Sequence, residues 1–187
     1  REPSLDELRF VINMHLAFGF KELTYFLYWQ PWEPGRACDG YDYTGMITYQ
    51  GEKTPVYDRA LSIDKEWKAM GTAYLDYDCE AFILNNIEDA VAEGMANAQV
   101  ADSFGSVVSI QSEGKMFTGC FDNAKGSEGY FIVNFDYKGQ GNSSAQLQLT
   151  VPKLVKVWGK GDLEQELQTT SVNVDMGPGE AKFIEIS

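Results

Sequence analysis

The chain has 187 residues, of which 44% are hydrophobic, and 28 acidic against 15 basic side chains give a formal net charge of −13. That apolar share supplies a buried core and argues against wholesale disorder. The charge, with a pI near 4.4, argues against nucleic-acid backbones and anionic membranes as partners, and no stretch approaches the ~20 apolar residues of a membrane span.

The chain opens Arg1-Glu2-Pro3-Ser4, neither a starting Met nor a signal peptide, so a piece of a longer protein is expected. Ser4-Leu5-Asp6-Glu7 is a capping box at a helix start. Leu5, Leu8, Ile12, His15 and Leu16 follow at helical spacing, and Gly19 supplies the stop. His15, the only histidine, lies inside this apolar run and is expected to be a hydrogen-bonded structural imidazole. A Ser-His-Asp or Cys-His mechanism would have to run through it. Leu23-Thr24-Tyr25-Phe26-Leu27-Tyr28-Trp29 is apolar and aromatic throughout, as in a strand buried on both faces of a parallel sheet. Thr54 as N-cap and Pro55 at the first helical position open a second helix running past Trp67, Met70 and Tyr74 to about residue 76. Cys79 to Leu84 reads as one more strand.

The composition changes near residue 90. Eight of the ten tyrosines, three of the four tryptophans and all four arginines precede residue 78. Glu88 to Ala98 is small, mixed and weakly periodic, a connector. From about residue 104 the pattern is all β: Val107–Ile110, Met116–Phe121, Gly129–Phe135, Ala145–Val151, Leu154–Trp158, Val172–Met176 and Ala181–Ile186, divided by turn signals. This spacing indicates an antiparallel sandwich. The expected organisation is an α/β segment over 1–90, a connector over 91–103 and an all-β sandwich over 104–187. Cys38, Cys79 and Cys120 form no CxxC pair and read as free buried thiols rather than a disulfide framework or zinc site; no metal and no cofactor is expected. The acidic Asp162, Glu164 and Glu166 read as a solvated edge.

Between the aromatic run and the second helix lies a long loop holding Gln30, Pro31, Trp32, Glu33, Pro34, Gly35, Asp39, Tyr41, Asp42 and Tyr43. Loops of this length do a job or are disordered, and this one is too aromatic for disorder. Trp29, Trp32, Tyr28, Tyr41 and Tyr43 are candidate platforms for the C–H face of a sugar, with Glu33, Asp39, Asp42 and Gln30 as hydrogen-bonding neighbours. Equally, Trp29 and Tyr28 fit a core and Trp32 a loop anchor. Glycoside hydrolysis needs two carboxyl groups ~5–9.5 Å apart. The loop contains acids, but none directly follows the aromatic run; Glu33 reads as a substrate contact or a structural hydrogen-bond acceptor and Glu80 as a weak outside candidate, so no catalytic residue is assigned.

Ala17-Phe18-Gly19-Phe20-Lys21-Glu22, Tyr25-Phe26-Leu27-Tyr28-Trp29, Gly45-Met46-Ile47, Gly51, Thr54-Pro55 and Tyr57 together resemble the closing section of a (β/α)8 glycoside hydrolase of the β-galactosidase-like superfamily. Gly119-Cys120-Phe121, Tyr130 to Asn134 and Gly177-Pro178-Gly179-Glu180 resemble the accessory β-domain that follows such barrels. The resemblance implies that the segment before residue 90 is the last part of a TIM-type barrel whose acid/base and nucleophile glutamates would precede residue 1. Only a sugar-subsite role carries over, onto Trp29. It further implies a carbohydrate ligand, inactivity of this chain alone, and either a missing N-terminal barrel portion or a second copy of the chain to cover Tyr25–Trp29. Either side of a bacterial membrane is compatible with the composition. The alternative is a stand-alone glycan- or protein-binding sandwich with a helical cap, using Trp158 and Tyr130.

Overall fold

The structure is a computed structural model describing residues 2–33, 35–36, 45–88, 94–95, 98–139 and 141–187. Helix α1 (Leu5–Ala17) starts at the capping box, with the Ser4 hydroxyl accepting from the Glu7 amide and the Glu7 carboxylate from the Ser4 amide. It ends where Gly19 takes φ +89°, a conformation that costs a glycine little. Helix α2 (Pro55–Tyr74) has Pro55 in its first turn as expected, but Thr54 makes no side-chain cap. Its buried hydroxyl instead reaches back to the carbonyls of Gly45 (2.9 Å) and Met46 (3.1 Å). The helices are joined by Arg9, whose guanidinium grips Glu66 through Nε (3.0 Å) and Nη2 (2.7 Å) and reaches Asp6 (3.2 Å). Such a bidentate pair fixes geometry as well as charge.

Among the described residues seven strands follow: β1 (Asp78–Asn85), β2 (Val107–Ser112), β3 (Met116–Asp122), β4 (Glu128–Asn134), β5 (Ser143–Gly159), β6 (Asp162–Met176) and β7 (Ala181–Ile186). All pairings among them are antiparallel, in the order β1-β3-β4-β7-β5-β2 with β6 on the free side of β5. β5 carries a register irregularity between Gln148 and Lys153. Its first half pairs with β2 and its second half with β7, while β6 follows both. An irregularity of this kind lets a strand bend from one layer to the next. The sheet thereby folds over on itself until β1 and β2 approach, where Asn85 Nδ2 donates to the Ile110 carbonyl at 2.7 Å. One core lies inside this fold, with Ile83, Cys120, Ile132, Val157 and Ile184 facing Val107, Leu147, Val174 and Met176.

A second core covers the outer face of β3, β4 and β7. Phe117, Phe121, Phe131, Val133 and Phe183 point away from the first core and meet Ile12, Leu16 and Ala17 of α1 and Ile63, Met70 and Tyr74 of α2. The ring of Tyr74 stands edge-on to Phe121, Phe131 and Phe183, and its hydroxyl donates to the Leu16 carbonyl at 2.7 Å. β3, β4 and β7 are therefore buried on both faces, and each fully buried aromatic there contributes roughly 1.5–3 kcal/mol. The turn after β6 also docks on α1, the buried Asn13 amide donating to the Gly179 carbonyl at 2.7 Å.

Several expectations are corrected. Leu23–Trp29 is not a buried parallel strand: it runs extended, with one parallel bridge among the described residues, from Trp29 to Ile47. Leu23, Tyr25 and Leu27 turn partly inward while Phe26 and Tyr28 face outward. Apolar composition alone makes no strand, and among the described residues no neighbour completes the ladder. The strand at Cys79–Leu84 is β1, the antiparallel partner of β3, so the sheet begins upstream of the expected connector. The segments Ala145–Val151 and Leu154–Trp158 are one strand, and β6 starts ten residues ahead of the expected Val172. Glu164 is no freely solvated edge group, because it is ion-paired with the buried Lys182. His15 is hydrogen-bonded as expected, its Nδ1 donating to the Val11 carbonyl at 2.7 Å, but it is exposed. Cys79 is half-buried and Cys120 buried, both free; Cys38 lies outside the described residues.

The helix layer rests on Gly119 of β3, where an added Cβ would stand 2.0 Å from the Ala17 carbonyl oxygen. Gly119→Ala is expected to lower stability by about 1–3 kcal/mol, as overpacking does, with a matching shift of the urea midpoint. Burial, reinforced by the Glu80 carboxylate and opposed by the Lys21 ammonium, pushes the Cys79 thiol up from 9.0 to about 11. The unfolded chain thus releases this proton more readily than the folded one. The stability it contributes is present below about pH 9 and lost as pH rises through 11. Urea unfolding between pH 8 and 11 is expected to show a shallower decline in Cys79→Ala than in the parent.

Candidate functional site

The loop after the aromatic run is held by backbone bonds to residues 46–47. The Met46 amide donates to Leu27 (2.9 Å), the Ile47 amide to Tyr28 (2.8 Å) and the Gln30 amide to Ile47 (2.9 Å). The indole N–H of Trp29 donates to the Thr48 carbonyl at 2.9 Å. The Thr54 hydroxyl pins the Gly45 and Met46 carbonyls from below. Tyr25 anchors the other end, its hydroxyl donating to Asp64 of α2 at 2.8 Å. Burial, with the hydrogen-bonded Asp64 carboxylate adding to it, pushes that phenol well above its ordinary range.

This frame carries a row of exposed rings: Phe26 (81% exposed), Tyr28 (62%), Trp29 (52%) and Trp32 (37%). Beside them is a cleft of 260 Å³ lined by Pro31, Trp32, Glu33, Arg36 and Tyr49. Arg36 Nε lies 3.3 Å from the Glu33 carboxylate. The cleft therefore offers aromatic faces, a carboxylate acceptor and guanidinium donors within one small concavity, the mixture that a polyhydroxylated ring needs.

Of the candidates named from the sequence, Trp32 and Glu33 meet in the cleft. Tyr28 and Trp29 are exposed nearby but do not line it. Tyr41 and Tyr43 lie outside the described residues, as do Asp39 and Asp42. Tyr49 and Arg36 were missed. Tyr49 comes into place only because residues 46–48 fold alongside Tyr28–Gln30, a pairing no local pattern announces, whereas Arg36, three residues from Glu33, had the spacing of an ion pair. Among the described residues Glu33 is the only carboxylate of the cleft, so the described residues alone do not supply the two carboxyl groups of glycoside hydrolysis there. Glu80 is exposed on β1, remote in the topology from this loop.

The alternative contacts Tyr130 and Trp158 are used internally. The Tyr130 ring is fully buried, its hydroxyl directed to the Phe104 carbonyl (2.6 Å) and Glu128 (2.9 Å). Trp158 donates its indole N–H to Glu185 at 2.6 Å. Among the described residues no three His, Cys, Asp or Glu side chains gather as a metal would require, and no helix is long and apolar enough to cross a membrane. Comparison of the chain with protein-family models, with curated protein sequences and with solved structures returns no match.

Thr54→Val is expected to destabilise the chain by about 1–2 kcal/mol by removing a buried donor from two carbonyls. Because those carbonyls carry the loop beside Trp29, trypsin should also cut after Arg36 or Lys53 faster than in the parent, as mass spectrometry of timed digests would read.

Proposed function

We propose that this chain is the C-terminal portion of a carbohydrate-active glycoside hydrolase, contributing an aromatic wall of a sugar subsite and an accessory β-domain, and inactive alone. The observation that carries the reading is the cleft of Trp32, Tyr49, Glu33 and Arg36 beside the exposed rings of Tyr28 and Trp29. A pyranose packs its C–H face on such rings while its hydroxyls take the carboxylate and guanidinium. The extended course of Leu23–Trp29, with Phe26 and Tyr28 turned outward, supports reading it as the last strand of a TIM-type barrel that lacks its neighbours. On this reading its neighbours come from a missing N-terminal barrel portion or from a second copy of the chain. An apolar outward row of this kind on an extended segment is the surface that neighbouring strands cover.

Glu33 is the only carboxylate of the cleft among the described residues, and on this reading the acid/base and nucleophile lie outside the chain, so the purified chain is expected to release no aryl leaving group from nitrophenyl glycosides. Measurable turnover that disappears in Glu33→Gln would overturn the assignment. Light scattering on the same material is expected to show association through Phe26 and Tyr28 that weakens in a Phe26→Ser/Tyr28→Ser variant; a monodisperse monomer counts against the covered face.

A further inference from the structure

On the far side of the molecule from the helices, the outer face of β2, the first half of β5 and the second half of β6 forms a groove of 470 Å³. Strand register builds its floor. Gln111 stands opposite Gln146, and Gln146 opposite Asn173, so three side-chain amides form one row across three strands. Two residues along, Ser144 stands opposite Asp175, and Glu113 donates its backbone amide to the Ser144 carbonyl at 3.2 Å, making a second row of Glu113, Ser144 and Asp175. Neighbours in a row are about 5 Å apart and the rows about 7 Å apart. All six residues line the groove.

The residues beneath these rows explain why they face outward. Ala145, Leu147, Val172 and Val174 alternate with them and fill the inner core, so period-two geometry leaves the polar set no other direction. What the fold does not require is that these positions be amides. Gln111, Gln146 and Asn173 make no side-chain hydrogen bond to another described residue, in contrast to Gln148 next along β5, which donates to the Thr170 carbonyl at 3.0 Å. Each free amide presents a donor and an acceptor at one position, as does the Ser144 hydroxyl.

We propose that this groove binds a neutral saccharide chain lying across β2, β5 and β6. A sugar hydroxyl both donates and accepts, and a row of amides answers it in either sense; several hydroxyls at ring spacing match two rows of such groups. The lining holds no Lys or Arg and two carboxylates, which turns away polyanions. The side chains directed into it are polar, which gives an apolar peptide nothing to bury. Glu113 and Asp175 are joined by no third His, Cys, Asp or Glu among the described residues, so the groove offers no cation site there. The site is separate from the Trp32 cleft and does not rest on the hydrolase reading.

Affinity electrophoresis of the intact chain tests the proposal, with galactomannan, xyloglucan or mixed-linkage β-glucan cast in the gel and polygalacturonate as the anionic comparison. Retardation by at least one neutral polymer is expected, and none by polygalacturonate. Gln146→Ala/Asn173→Ala changes only exposed side chains and should keep the parent's circular dichroism and unfolding midpoint. Made in a Trp32→Ala background, which removes the cleft's own sugar contact, it is expected to weaken the remaining retardation at least about tenfold, as loss of one or two hydrogen bonds does. Absence of retardation by every neutral polymer, equal retardation by polygalacturonate, or retardation that is absent from the Trp32→Ala chain or that the amide change there leaves unaltered would each overturn it.

Discussion

The layering of this protein turns on the contact between the last carbonyls of α1 and Gly119 of β3. A helix can lie this close to a sheet only where the strand beneath offers no side chain. That proximity brings Leu16 and Ala17 onto Phe117 and Phe121, and it sets the depth at which the Tyr74 hydroxyl reaches the Leu16 carbonyl. Once α1 is seated, Arg9 fixes α2 through Glu66, and Asn13 captures the turn leading into β7. The strands in the middle of the sheet then lose water on both faces, which is why their burial is nearly continuous rather than alternating.

The helices were legible because their signals are local. The capping box at Ser4, the glycine stop and Pro55 each act within one turn of the chain. Strands with clean alternation, such as the Ala145–Val151 part of β5, were legible for the same reason. The first half of β6 was not. Asp162-Leu163-Glu164-Gln165-Glu166 is mostly polar and is extended because β5 lies beside it in register. The aromatic run before the loop failed in the opposite sense: its composition is that of a strand, but a strand is a relation between two segments. Thr54 shows the same tension at one residue, since a good capping side chain found better-placed acceptors at Gly45 and Met46.

The candidate site was half visible. Trp32 and Glu33 are adjacent in sequence and meet in one cleft, so their association needed no tertiary information. Tyr49 joins them through the alignment of Ile47 with Trp29. The groove on the opposite face was invisible from the sequence, because Gln111, Gln146 and Asn173 are ordinary surface residues until register sets them side by side. Their chemistry lies in the row rather than in any one residue.

β5 belongs to both layers of the folded sheet, and its change of register near Gln148–Lys153 is the corner between them. A strand shared in this way leaves the layers without independent edges along which one could peel from the other. Opening the groove side pulls on the half of β5 that backs the helix-covered core, and melting the helix layer unseats β7, which is laddered to that same half. Slow hydrogen exchange in the β5 corner should therefore open only with the whole molecule, so that a weakly bound ligand on the groove would protect amides beneath the helices as much as those it touches.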